Sequence, residues 1–408
     1  MIRRVDQNEL QRVLTLPLVI LYGLGVTIGA GIYVLIGETT GRAGMLAPFS
    51  FLAAAAVMVF PALCFAELAG RFPFASGAAQ YVEEGFGSRA TGLIIGVMMI
   101  FAGLVAASTI SLGSVRYMGE LIALPPWVLL LCVVSLMGFI SAWRIKESVI
   151  VIGVMTLLEV VGLLAIIVGG FVADPALLSR ISTLAPVEWN GTVAISIIQA
   201  AMLAFFAFIG FEGIANVAEE TSKPRTTLPR AILITLTIST VIYLLVVGVA
   251  LLSVGPTELL AQRAPLSFIF EKTTGLPAAV ISLIAVVSTM NGVVVHIIMV
   301  SRLTYGLSSR GLIPAFFGII NGKTRTPIVA TAVAVVAVLV LSFSLPITTL
   351  AELTSRIILF VFALVCAALL KLKVKGTPVS KDSFVVHVSI PVIGTIVCLA
   401  LLFLDLVT

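Results

Sequence analysis

Charge is scarce in this chain. Only 11% of its 408 residues are Asp, Glu, Lys or Arg, against about a quarter in a soluble domain, so no sizeable water-facing domain is expected. Histidine occurs twice, and the four cysteines (Cys64, Cys132, Cys366, Cys398) stand apart with no CxxC spacing. That pattern argues against a disulfide framework or a zinc site, and buried small apolar residues are the plain reading. A GxxxxGK[ST] loop, an HExxH pair and a serine-nucleophile elbow are all missing. The sequence therefore gives no ground for ATP-driven machinery or for hydrolase chemistry, and no cofactor or metal is expected.

What the chain does have is apolar residues, 60% of the total. Runs of about 20 apolar residues suit helices that cross a hydrocarbon core roughly 30 Å thick. Eleven occur, at 14–36, 46–70, 90–113, 125–143, 148–172, 193–218, 229–253, 276–301, 327–345, 347–370 and 385–406. The fold class is thus an all-α polytopic membrane protein. Met1–Arg12 is polar and the first run is long, which speaks against a cleavable signal peptide. Placing the N-terminus in the cytoplasm puts 18 of the 24 Lys and Arg residues in cytoplasmic loops; five lie opposite, and Arg356 falls within a run. Basic residues concentrate on the inner side, so the N-terminus is expected inside, in the plasma membrane. The net charge of +5 then reports topology, and no nucleic-acid partner is expected.

Two runs weaken their own helices. Residues 25–32 read "GVTIGAGI", and residues 205–214 read "FFAFIGFEGI". A glycine inside a helix costs roughly 1 kcal/mol relative to alanine. Close helix packing through small residues is one explanation. The pairing suggests another. Ile28–Ile32 and Ile209–Ile214 begin 181 positions apart, each in the first run of a five-run half. Five is odd, so the halves would be inverted, and paired glycine-interrupted helices point to a transporter's binding site. Unwinding exposes N–H groups that suit a carboxylate and C=O groups that suit an ammonium, so a zwitterion fits.

"TIGAGIYVL" and "FFAFIGFEGI" resemble the amino acid–polyamine–organocation superfamily of transporters. "FAELAGRFPFASGAAQYV" (65–82), "AEETSKPRTTLPRAIL" (218–233) and "SRLTYGLSSRGLIP" (301–314) agree. The resemblance runs from Thr27 to Pro314. It implies a LeuT-like five-plus-five inverted repeat with alternating access. The halves fall at 14–172 and 193–370, within a single domain, and 385–406 is an additional helix. Carried over by position, it implies that the amides of Gly29, Ala30 and Gly31 hold a substrate carboxylate. Carbonyls near Thr27, Phe206 and Ile209 would take the amine, and Phe208 would be a gate or pocket wall. Some proton-coupled relatives carry a lysine in the fifth span, where the present chain has Glu159.

A charge at the bilayer centre costs at least about 2.5–3.5 kcal/mol on insertion scales, and functional ones face the bundle interior. Glu159 lies near the middle of 148–172 and Glu212 inside the second interruption. Both are coupling candidates, against the alternative of a hydrogen-bonded structural glutamate. His296 in the eighth run is placed toward the substrate side, although a lone histidine on an apolar helix is more often a satisfied core residue. Glu352 and Arg356 stand four apart, in the order that favours a helical ion pair; a self-neutralising pair is favoured over a gate. The expected function is secondary amino-acid transport, by proton symport or exchange. Sodium-coupled symport on the same fold is the nearest alternative, and a membrane enzyme or a channel the remoter ones. Amino acids, protons and the lipid bilayer are the expected partners.

Overall fold

The computed structural model describes residues 14–28, 31–73, 77–142, 148–186, 188–321, 326–380 and 383–407. The first crossing comprises α1 (Leu16–Ile28) and α2 (Gly31–Ala43). After it come α3 (Ala47–Arg71), a short α4 (Gly77–Phe86), α5 (Arg89–Met118), α6 (Pro126–Ala142) and α7 (Ser148–Ala173). The sixth crossing is α8 (Gly191–Phe208) followed by a 3-10 segment, Phe211–Glu220. Then come α9 (Pro224–Ser253), the short α10 (Pro256–Ala261) and α11 (Pro265–Thr274), α12 (Ala279–Ser309), α13 (Ile328–Ser344), α14 (Ile347–Val374) and α15 (Ser389–Val407).

Among the described residues, eight helical stretches are long and apolar enough to cross a membrane, with two shorter apolar helices, α6 and α13. One of the eight, Leu16–Arg71, is divided at the 3-10 turn Gly44–Leu46 into two crossings, which brings the total to the eleven expected. Backbone in a bilayer has no water to bond, so helices that satisfy themselves are the available solution. Several helices run past the apolar limits read from sequence. The first crossing reaches Ala43 rather than 36, the third Met118 rather than 113, and the eighth Ser309 rather than 301. Helical hydrogen bonding continues through the polar turns beyond the hydrocarbon.

The bundle is packed through small residues and turned outward through large ones. Along α3, Ala54, Ala55, Ala62, Ala66 and Ala69 are buried, and this helix lies against α8 and α9. Small side chains allow such close approach. On α7 the reverse face carries Val154, Leu157, Val161, Leu164, Val168 and Val172, all exposed. That stripe faces lipid, and Glu159 on the same helix points inward, only 1% exposed. Cys64, Cys366 and Cys398 are buried, whereas Cys132 on α6 is exposed. The plain reading of buried cysteines is therefore corrected at Cys132, because its side of α6 has no neighbouring helix.

Ion pairs secure both faces of the bundle. On the near face, where Leu14 lies, Glu67 is fully buried and meets Arg71, Lys373 (2.8 Å) and the backbone N–H of Val386 (2.8 Å). This one carboxylate ties α3 to the end of α14 and to the chain leading into α15. Arg310 donates to both oxygens of Glu83 at 2.9 and 2.8 Å, joining α12 to α4. On the far face Glu352 pairs with Arg42 of α2 and, at 3.6 Å, with Arg356, which bonds Asp405 of α15 at 2.7 Å. The expected Glu352–Arg356 pair is thus the middle of a four-residue chain joining α2, α14 and α15. It does not simply neutralise itself.

Removing one partner of a buried ion pair leaves the others uncompensated, at a cost of about 3–5 kcal/mol. Glu67→Ala strands Arg71 and Lys373 and is expected to lower the thermal unfolding temperature in detergent markedly. Glu258→Ala, which breaks a half-exposed pair with Lys272, is expected to cost only about 0–1 kcal/mol. Equal melting curves for the two variants would contradict this account.

Candidate functional site

The two interrupted crossings meet at their interruptions. α1 ends at Ile28 and α2 begins at Gly31, and α8 ends at Phe208, followed by extended Ile209 and by Gly210 at φ +135°. A Cβ on Gly31 would stand 2.3 Å from the Cα of Ala207, and one on Gly210 would stand 2.5 Å from the carbonyl oxygen of Val26. Real contacts are never so short, so glycine is required at both places. At Gly210 the positive φ demands it independently.

A helix that stops in an apolar medium leaves carbonyls without donors. Tyr243 of α9 answers this. Its hydroxyl lies 2.8 Å from the carbonyl of Thr27 and 2.8 Å from that of Ala207. One hydroxyl has one proton, so two carbonyls share a single donor and the site keeps surplus acceptor capacity. The Thr27 hydroxyl, also buried, has no hydrogen-bond partner. On the other side of the break, Glu212 accepts from the N–H of Gly210 at 2.8 Å, a bond that fixes the turn.

A cavity of about 20 Å³ lies between these elements, room for about one water-sized sphere. Thr27, Gly31, Phe206, Ile209 and His296 line it, as do Ala106 and Ile110 of α5 and Gly292 and Val295 of α12. The sequence reading did not single out the α5 and α12 residues. The signal for α5 was present in "FAGLVAASTISLG" (101–113), a run of small and hydroxyl side chains suited to facing a site. The ring Nδ1 of His296 lies 2.8 Å from the carbonyl of Gly292. A carbonyl only accepts, so Nδ1 carries the hydrogen and the neutral ring offers Nε2 as an acceptor.

Other expected residues lie elsewhere. Phe208 is fully buried against Phe51 and Tyr243 and does not line the cavity. Gly29 and Ala30 lie outside the described residues. Glu159 is apart from the cavity, with the Ser288 hydroxyl of α12 beside its carboxyl. Its own backbone carbonyl accepts from Tyr33 of α2 at 2.9 Å. Among the described residues no cluster of three or more His, Cys, Asp or Glu could hold a metal ion.

A helical bundle in which two interrupted crossings meet around a cavity defines a class of membrane proteins, of which secondary transporters are the best-known members. The chain belongs to the amino acid permease family, which it matches over residues 14–408, and so falls in the superfamily that its motifs resemble. It is 30% identical over 347 residues to the chloroplastic cationic amino acid transporter 9 of Arabidopsis thaliana, covering 78% of this chain and 59% of that protein. It is 27% identical over 384 residues to the branched-chain amino acid permease of Bacillus subtilis (strain 168), covering 87% and 79%. To the methylthioribose transporter of the same organism it is 25% identical over 409 residues, covering 93% and 85%. The chain thus spans about three fifths of the length of the plant relative. The family and these relatives are transporters by name, not enzymes.

Tyr243→Phe removes the shared donor and leaves the carbonyls of Thr27 and Ala207 buried without it. An unsatisfied buried acceptor costs about 1–3 kcal/mol, so the variant is expected to melt below wild type in a thermal unfolding assay. Tyr305→Phe, on a partly buried residue of α12, serves as the control and should melt as wild type does. If Tyr243→Phe is as stable as that control, the hydroxyl is not the clamp between the two breaks.

Proposed function

We propose that this chain is a secondary active transporter of amino acids, working by alternating access across the plasma membrane with its N-terminus inside. One observation carries the reading. The carbonyls of Thr27 and Ala207 share one donor where the two interrupted helices meet, beside a cavity that Thr27 lines. An ammonium suits those carbonyls, and a carboxylate suits the N–H groups that open α2, including Gly31. Gly29 and Ala30 would complete that cradle. The halves 14–172 and 193–370 would act as the inverted repeats, with 385–406 as the additional helix.

The relatives differ in named substrate, so the side-chain preference is argued from the cavity wall. Ala106, Ile110, Phe206, Ile209 and Val295 are apolar, and no carboxylate lines the space. A lysine or arginine side chain would bury its charge there unpaired, which is costly. A neutral aliphatic amino acid fits this wall better than a cationic one. The cavity of about 20 Å³ is far below the 300–1,000 Å³ of open ligand sites, so substrate entry needs one face to open. The near face is closed where Leu14 bonds Glu220 and Ser222, and the far face where Arg42 and Arg116 hold Glu352 and Glu38.

Counterflow of labelled leucine in proteoliposomes tests the substrate reading. Unlabelled leucine and valine are expected to exchange. Arginine, N-acetyl-leucine and leucine methyl ester are not, since each of the latter two lacks one main-chain charge. Exchange of arginine at the leucine rate would overturn the aliphatic assignment, and exchange of the blocked derivatives would overturn the main-chain site.

Glu159 is the proposed proton carrier, on the strength of its inward, buried position at mid-bilayer with no ion pair among the described residues. Glu159→Gln fixes the uncharged form. It is expected to keep leucine exchange yet lose about tenfold or more of the accumulation driven by a pH gradient, equivalent to about 1.4 kcal/mol. Undiminished accumulation in sodium-free buffer would move the role to Glu212. A strict sodium requirement in wild type would favour a cation site at Glu159 instead.

A further inference from the structure

A second cavity lies remote from the paired breaks, at the far end of α3, α7 and α9. It measures about 340 Å³, within the range of sites that enclose small ligands and many times the space at the breaks. None of its lining residues has a polar side chain. Leu52 comes from α3 and Phe171 from α7. Leu178 and Ile181 belong to the 3-10 segment Pro175–Leu184, and Leu244 and Leu245 to α9.

One lining residue is informative because nothing in the protein explains it. Gly248 occupies the row Leu244–Gly248–Leu252, spaced by four along α9. Glycine is among the poorest residues for a helix interior, and in membrane helices it commonly admits a neighbouring helix. Here no neighbour is admitted. A Cβ built at Gly248 would meet no atom within 4 Å, whereas Gly31 and Gly210 are each forced by backbone contact. The glycine keeps the cavity open without serving any contact inside the chain.

The depth of the cavity identifies what can fill it. Trp189 is 67% exposed and meets the ring of Phe49, a lining residue, edge-on at 5.7 Å. Exposed tryptophan sits at the headgroup level of a membrane protein. Asp174 caps the start of the same 3-10 segment and Arg180 lies within it, the two paired and partly exposed. The cavity therefore starts at headgroup depth and runs inward along helices whose surroundings are hydrocarbon. Leu178 and Ile181, more than half exposed on that segment, would otherwise face polar headgroups.

We propose that this cavity binds one acyl chain of a phospholipid from the surrounding leaflet, with the lipid phosphate at the Arg180 guanidinium. The apolar wall takes the chain and the guanidinium supplies N–H donors to phosphate. The site lies on α9 about one and a half turns beyond Tyr243, so an occupant packs the helix that carries the clamp. This inference stands apart from the transport reading.

Gly248→Phe fills the cavity from a position where a Cβ meets no atom within 4 Å. Purified protein is delipidated in mild detergent, and phosphatidylethanolamine or phosphatidylglycerol is added back. Bound lipid is counted by native mass spectrometry, and stability is followed by thermal unfolding. Wild type is expected to retain one phospholipid more than Gly248→Phe and to melt higher on lipid addition, with affinity for the added lipid about tenfold or more above the variant's. Leu178→Gln, on the exposed segment, provides a second variant that leaves α9 unaltered and is expected to lose the same lipid. Arg180→Gln is expected to weaken phospholipid retention but not that of a free fatty acid. Equal lipid counts and equal melting shifts in wild type, Gly248→Phe and Leu178→Gln would overturn the proposal. So would retention of only fatty acid, or a dimer that Gly248→Phe dissociates, which would assign the cavity to a second copy of the chain.

Discussion

Where the two interrupted crossings meet, main chain lies on main chain, with Gly31 against Ala207 and Gly210 against Val26. Any side chain at either glycine would part them. Once two helices are interrupted in a medium without water, each loose carbonyl needs a donor from somewhere else in the protein. Bringing the two interruptions together lets one donor serve both. Tyr243 is that donor, and its position requires α9 to lie beside α1 and the 3-10 half of the sixth crossing, with its hydroxyl reaching the end of α8. The small-residue surface of α3 then lets it pack against both α8 and α9. Much of the bundle's centre follows from the need to satisfy two breaks at one place.

The same device recurs further out. Tyr117 of α5 donates to the carbonyl of Tyr33 at 2.7 Å, and Tyr33 of α2 donates to the carbonyl of Glu159 at 2.9 Å. Two buried hydroxyls thus link α5 to α2 and α2 to α7, each capturing main chain from another helix. A movement of α2 reaches Glu159 through this path and reaches the cavity through Gly31. The half-helix after the first break is therefore joined both to the cavity and to the main chain of the residue that bears the inward-facing carboxyl. That is a physical connection between the two places where a coupled transporter would have to keep its events in step. It is a connection of contacts, and coupling in the energetic sense is what a Glu159 variant measures.

Some of this was legible in the sequence, and the reason differs residue by residue. Gly31 and Gly210 stood out because a glycine in an apolar run has a cost that must be explained, and two runs shared it. The eleven crossings were legible because their apolar lengths fit the bilayer; only their polar ends were cut short. Tyr243 was not legible. A tyrosine in an apolar run looks the same whether its hydroxyl reaches lipid headgroups or a carbonyl some 216 residues away in sequence. Phe208 was read as a gate or pocket wall from its place in the motif, but the next residues turn at Ile209 and Gly210 and its ring goes to Phe51 and Tyr243. Ala106, Ile110 and Val295 reach the cavity through the packing of α5 against α12, which no local pattern specifies. The Arg42–Glu352 contact was missed for the same reason, since sequence spacing offered Arg356 as the only nearby partner.

The distribution of charge then follows from where burial is complete. At the near face Glu67 is wholly buried, and it is matched by two cations and a backbone N–H, as an interior carboxylate must be. At the far face the chain Arg42–Glu352–Arg356–Asp405 is partly exposed, so its links are individually weaker and more readily exchanged for water. The Glu67 cluster is thus buried more completely than the far-face chain, although the near face also carries the more exposed Arg310–Glu83 pair. The near-face cluster also holds α14 and the chain leading into α15 to α3, elements that a moving half-helix could be braced against. The far-face chain, by contrast, ends on α2, which begins at the first break and carries the glycine contact.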